Sequence, residues 1–267
     1  MFQVEFMGTP GAGKSMLRKY MLNTRSLSDI CCWSSEKALI YALKKKSDDL
    51  IIRLALKILP EKLTVKYANT ILNSYRSQVQ VLSCFLADYG ASLTGFIQSR
   101  QYRNKTHDEK WLAISRYFKI ALWYQLINNE IDRRTIVVFD GGFLQKSMTL
   151  FLSPGSKENR FPDKELLHYL GSIPLPKIAV WVNSTTESCY QRLLSRPRGL
   201  TLRLEKMDRV RITGFLIECQ DFFRKIACHV EENGVKVIRV DNEGNPDEVF
   251  LKLANMMSSV FFEMLSF

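Results

Sequence analysis

The segment Gly8-Thr9-Pro10-Gly11-Ala12-Gly13-Lys14-Ser15 constrains this chain more than any other, because it satisfies G-x-x-x-x-G-K-[ST] at every fixed position. The apolar run Gln3 to Met7 leads into it, and the helical pattern Met16, Leu17, Tyr20, Met21 leads out. Strand, glycine-rich loop and helix thus follow in the order that turns backbone N–H groups inward on a polyanion, with the positive end of the helix dipole behind them. The residue types then predict roles. Gly8, Thr9, Pro10, Gly11, Ala12, Gly13 and Met16 would line the phosphates of ATP, Lys14 would reach the β- and γ-phosphates, and Ser15 would offer its hydroxyl to Mg2+.

Further strand-like runs alternate with helical patterns, which predicts a parallel α/β architecture. The candidates are Gln3 to Met7, Thr135 to Phe139, Lys177 to Val182 and Val235 to Val240, with the short run Ile30 to Trp33 as a fifth. The expected fold is a P-loop sheet of about five strands flanked by helices, formed by residues 1–34 and 134–267. Residues 35–133 carry helical spacing only, as in Leu112, Ser115, Phe118, Leu122, Gln125 and Leu126, and read as a helical insertion on the acceptor side. Pro60 and the stretch Gln101 to Asp108 are its expected breaks, and Val79 to Ser99 reads as a buried, broken helix.

Of 267 residues, 46% are hydrophobic and 24% charged, which excludes a disordered chain. Six cysteines without a C-x-x-C pair argue for reduced thiols and a cytoplasmic setting. The opening Met-Phe-Gln-Val-Glu-Phe has no basic n-region, and Val79 to Ser99 is too polar to span a membrane. The histidines His107, His168 and His229 are scattered and read as structural, and the four tryptophans read as core. The net charge of +11 is concentrated: residues 192–211 hold six arginines and Lys206 against Glu205 and Asp208.

Ile136-Val137-Val138-Phe139-Asp140 places an acid after an apolar strand, so Asp140 is the expected Walker-B-type partner of Ser15 at Mg2+. Gly141-Gly142 follows it, without the second acid that polarises water in many ATPases, and no N-K-x-D motif for guanine occurs. Strand Lys177 to Val182 leads to Ser184 and Glu187, read as a capping box, and then to Arg192-Leu-Leu-Ser-Arg196-Pro-Arg198-Gly199. Arg192 and Arg196, four apart, should share a helix face, with Arg198 and Arg203 on the segment beyond.

These motifs, with the closing Val240-Asp241-Asn242-Glu243-Gly244-Asn245-Pro246, resemble the nucleoside monophosphate kinase and thymidylate kinase family over residues 1–24 and about 134–255. The resemblance implies a lid at 196–209 whose arginines close on the transferring phosphoryl group. It also implies that backbone near Asn242 borders the base of ATP. The expected activity is transfer of the γ-phosphoryl of Mg-ATP to an anionic small molecule, a nucleotide, nucleoside or sugar-like acceptor, with Lys14, Asp140, Arg192, Arg196, Arg198 and Arg203 as the catalytic set. The alternative is a nucleotide-gated regulatory ATPase whose helical insertion binds a protein or nucleic acid.

Overall fold

Each apolar run forms a strand, and all of the strands pair in parallel. This computed structural model describes residues 1–23, 32–46, 61–72, 75–152, 163–197, 200 and 204–265. In chain order the elements are β1 (Phe2–Met7), α1 (Lys14–Asn23), β2 (Cys32–Ser34), α2 (Ser35–Lys46), α3 (Glu61–Leu72), α4 (Tyr75–Gln98), α5 (Arg100–Arg103) and α6 (His107–Glu130). They continue as β3 (Ile136–Phe139), α7 (Phe143–Phe151), α8 (Asp163–Leu170), β4 (Ile178–Asn183), α9 (Thr186–Leu194), α10 (Arg209–Glu232), β5 (Lys236–Asp241) and α11 (Pro246–Leu265). Ile30 and Cys31 of the fifth candidate strand, and Pro60, lie outside the described residues.

The strand order is β2-β3-β1-β4-β5. β1 pairs with β3 from Phe2↔Ile136 to Glu5↔Phe139 and with β4 from Val4↔Ile178 to Met7↔Trp181. Val4, Phe6, Val137, Val138, Ala179 and Val180 are all buried, as expected where helices cover both faces of a parallel sheet. The chain leaves β1 toward β2 and leaves β4 toward β5, so the connections part between β1 and β4. That is where an open α/β sheet forms its crevice, at the carboxyl ends of the strands. β4 and β5 each run one residue further than expected, because Asn183 and Asp241 continue the ladder and Asn183 Nδ2 donates to Asp241 Oδ1 at 3.2 Å.

Between residues 35 and 133 the described residues form helices and no strand. α4 bends at Tyr89 (φ −126°, ψ 16°), where Gly90 follows and Ser92 Oγ donates back to the Tyr89 carbonyl at 2.7 Å. Thr106 and Glu109 form the capping box that starts α6.

Of the expected positions on α6, Leu122, Gln125 and Leu126 are buried, Ser115 and Phe118 half-buried and Leu112 exposed, while a second set, Ala113, Tyr117, Ala121 and Tyr124, is buried in the main core with Val4 and Phe143. Its other side, Leu122, Leu126 and Ile127, packs with Ala38, Leu39, Val137 and Phe139. A helix buried on two sides has no single apolar stripe, so a one-face periodicity finds only one of them.

α11 buries Leu253, Met257 and Phe261, which makes Val260 to Leu265 the end of a docked helix. The tryptophan expectation fails at Trp111, which is 74% exposed on the outer face of α6. No helix among the described residues is long and apolar enough to cross a membrane.

Candidate functional site

The glycine-rich loop begins where β1 ends. Gly11 sits at φ +90°, and a Cβ there would overlap the backbone carbonyl of Cys189, so only glycine lets the loop settle on the start of α9. The loop curls around Lys14, whose Nζ donates to Gly8 O at 2.7 Å and to Thr9 O at 2.8 Å. Burial of this ammonium lowers its pKa to about 8, against the opposing pull of Asp140. Pro10 is partly exposed, Thr9 and Ala12 are buried, and the Met16 amide donates to Gly13 O at 3.0 Å, which starts α1.

Asp140 follows β3, the direct neighbour of β1, and that adjacency brings it to the loop. Ser15 Oγ lies 3.5 Å from Asp140 Oδ2. Two residues that the sequence reading passed over complete this group. Arg18 bonds Glu36 Oε2 at 3.1 Å and Asp140 Oδ2 at 3.4 Å, which bridges α1, α2 and the β3 end. Burial opposes ionisation of Glu36, but its own backbone amide and Arg18 outweigh it, and its pKa is lowered. The signal for Arg18 was its spacing: four residues after Lys14, it lies on the same side of α1.

Glu5 is fully buried within β1, and the Gln145 amide donates to its Oε1 at 2.8 Å. Gln145 Oε1 in turn accepts from Gly8 N at 2.9 Å, so this carboxyl anchors the entry of the loop through the start of α7. The pair Gly141-Gly142 finds its reason here, since a Cβ at Gly142 would overlap the Glu5 carboxylate. Burial raises the Glu5 pKa to about 8, against the amides of Gln145, Leu144 and Phe143. The folded chain then holds a proton that the unfolded chain releases above about pH 4.5, so this contribution to stability is lost as pH rises toward 8. Glu5→Gln should flatten that slope: between pH 5 and 8.5 the unfolding midpoint should fall less in the variant than in the native chain, and equal falls would exclude Glu5 as its source.

The arginine segment departs from expectation. The N-cap of α9 is Thr185, which accepts from Ser188 N, and not Ser184. The Ser184 hydroxyl instead donates to Glu243 Oε1 at 2.6 Å, and the Thr185 amide reaches the same oxygen at 2.6 Å. α9 ends at Leu194, so Arg192 and Arg196 do not share a helix face. Arg192 donates to Ser184 Oγ at 2.6 Å and to Asn242 O at 2.7 Å, which ties it to the loop after β5. Asn242 is buried, and its Nδ2 donates to Ala12 O at 2.7 Å, so its side chain supports the glycine-rich loop from within.

Arg196 lies close enough to Lys14 to lower its pKa. Arg198 and Arg203 fall outside the described residues. The segment is anchored at its far end, where Asp208 caps α10 and Arg209 pairs with Glu187 at 3.1 Å.

A cavity of about 430 Å3 opens beside α10 at the ends of β4 and β5, with Trp181, Asn183, Thr186, Gln220, Arg224 and Asp241 among its lining residues. It includes no residue of the glycine-rich loop, and its Arg224 is paired with Asp221. Fold and site together define an α/β protein with one all-parallel sheet and a loop, a lysine, a hydroxyl and a carboxylate grouped at its carboxyl edge. No protein-family model matches the chain, and no curated protein matches it.

Proposed function

We propose that the chain is a P-loop phosphotransferase that moves the γ-phosphoryl of Mg-ATP to a small-molecule acceptor. The observation that carries this reading is the grouping of Lys14, Ser15 and Asp140 at the ends of adjacent strands, with Ser15 Oγ 3.5 Å from Asp140 Oδ2. A hydroxyl and a carboxylate are hard oxygen donors and fit Mg2+, which when bound neutralises charge on the β- and γ-phosphates. Lys14 holds the phosphates of the donor, and the loop amides with the start of α1 complete the cradle.

Arg196 stabilises charge that develops on the transferring group, while Arg192 and Asn242 keep the loop in shape. Arg18 fixes the Asp140 carboxylate relative to Glu36. Catalysis then rests on positioning and electrostatics, as phosphoryl transfer requires.

The pKa of Lys14 supplies the test. Below about pH 8 the ammonium is charged with or without nucleotide; between 8 and 10.5 the free protein has lost a proton that bound phosphates would restore. ATP binding at pH 9 should therefore take up a proton, seen as calorimetric heats that differ between buffers of different ionisation enthalpy, and Lys14→Met should lose that difference. Mg-ATP at a hundredfold excess over its dissociation constant should also stabilise the native chain by about 2.7 kcal/mol. An unfolding midpoint unmoved by millimolar Mg-ATP would refute the reading. ATP turnover that proceeds at full rate without any acceptor would replace transfer with hydrolysis.

A further inference from the structure

The cavity beside α10 has no part in the mechanism above, although it opens at the same edge of the sheet. Trp181 and Asn183 stand two apart on β4, and their register partners on β5 are Arg239 and Asp241. Strand alternation puts these four side chains on one face of the sheet. That face is turned to α10, because Arg239 donates to both carboxylate oxygens of Glu231 on that helix, at 2.9 and 2.6 Å. Gln220 and Arg224 line the cavity from the helix side. The half-buried Trp181 indole and the exposed Asp241 carboxylate thus share one concavity of about 430 Å3, a size that suits a small molecule.

The other charges around this concavity are already answered. Arg239 is held by Glu231, with its guanidinium carbon 6.0 Å from the Trp181 ring centroid, and Arg224 pairs with Asp221 at 2.9 Å. Glu243 engages both of its oxygens, with Ser184, Thr185 and Ser188. Asp241 differs. Its Oδ1 accepts from Asn183 Nδ2 at 3.2 Å, but among the described residues neither Asp241 Oδ2 nor Asn183 Oδ1 has a hydrogen-bond or ion-pair partner. Two acceptor oxygens on neighbouring strands, one of them charged, therefore stand beside an aromatic wall. A single carboxylate beside an amide is a poor seat for a divalent metal, which takes several oxygen ligands.

Going beyond the phosphotransferase reading and independent of it, we infer that this cavity binds a small planar nitrogen cation, an amidinium or guanidinium compound. The fork of N–H groups on such a cation matches two neighbouring acceptors, and its charge answers Asp241. Its flat, weakly hydrated face lies against an indole more favourably than a compact ammonium does. The site is separate from the glycine-rich loop. Among the described residues, none of residues 8–15 lines the cavity, and Asn242, next to Asp241, turns its side chain away to Ala12 O.

The full chain is titrated calorimetrically with benzamidine, with its neutral isostere benzamide and with benzylamine, which carries a compact ammonium on the same ring. Benzamidine should bind once per chain and roughly tenfold or more tightly than either of the others. Asp241→Asn keeps an acceptor for Asn183 and removes the charge, so it should weaken benzamidine roughly tenfold or more, the scale of one lost charge-assisted contact. Glu248→Gln, at an exposed acid on α11, should leave binding unchanged. The indole N–H resonance of Trp181, identified by its absence in Trp181→Phe, should shift with benzamidine in the native chain and stay in place with benzamide. That shift keeps the test open if Asp241→Asn fails to fold.

No binding at millimolar benzamidine, benzamide or benzylamine binding as tightly, undiminished binding in Asp241→Asn, or an unmoved Trp181 resonance overturns the inference. The titration is then repeated with Mg2+ and the non-hydrolysable β,γ-imido analogue of ATP at saturation. Benzamidine should still bind, and its competitive loss would place the cavity within the nucleotide site and overturn the inference. If the analogue itself fails to bind, the phosphotransferase reading has failed alone, and the cavity is decided by the titrations of the unliganded chain.

Discussion

Asp140→Asn should lower phosphoryl-transfer turnover by roughly 10²-fold or more, the order expected when one preorganised charge is removed from a phosphoryl-transfer site. Nucleotide affinity should stay within about tenfold, because Lys14 and the loop amides remain. The substitution keeps the shape of the side chain and leaves Arg18 its bond to Glu36 at 3.1 Å, so the network around it should survive. Turnover with a pool of phosphorylated and unphosphorylated acceptors, measured beside equilibrium binding of ATP, gives both quantities. Near-native turnover in the variant would remove Asp140 from the chemistry and leave the loop as a binding device alone.

The second large effect separates two arginines that sequence spacing had joined. On the proposed function, Arg196→Ala should lower turnover by about 10²-fold with little change in thermal stability, since Arg196 lies near Lys14 and beyond the end of α9. Arg192→Ala should do something different. It removes two hydrogen bonds, to Ser184 Oγ and Asn242 O, and so weakens the hold on the residue that supports Ala12, leaving it the bonds to Ser184 Oγ and Asn183 O. Charged hydrogen bonds contribute about 1.5–3 kcal/mol each, so this variant should unfold at a distinctly lower temperature and lose nucleotide affinity with its stability. If both variants instead kept full turnover and weakened binding to nucleic acid with a reduced salt slope, the arginines would belong to a nucleic-acid surface.

Much of this arrangement was legible in the residues. Strand positions followed from apolar runs because a parallel strand is buried on both faces, and Gly8 to Ser15 identified itself by pattern and by its place between strand and helix. Asp140 was legible for the same reason, as the first polar residue after such a run. What stayed hidden depends on contacts distant in sequence. Gln145 reaches Gly8 across 137 positions, and Arg192 reaches Asn242 across 50. The cap of α9 was misassigned by one residue because Ser184 and Thr185 are both good caps, and Glu243 claims the Ser184 hydroxyl. Glu5 did leave a trace, as the one acid inside an apolar strand, but its partners could not be named without the fold.

The two-sided burial of α6 bears on how such a chain can evolve. One side of this helix closes the core that contains Val4 and Phe143, and the other packs with Val137 and Phe139 of the sheet. The helical region is therefore not a cassette that recombination could remove or exchange, since its loss would strip both clusters at once. A lineage carrying this architecture can vary the helical region through side-chain changes that keep both clusters packed, and hardly at all by swapping modules.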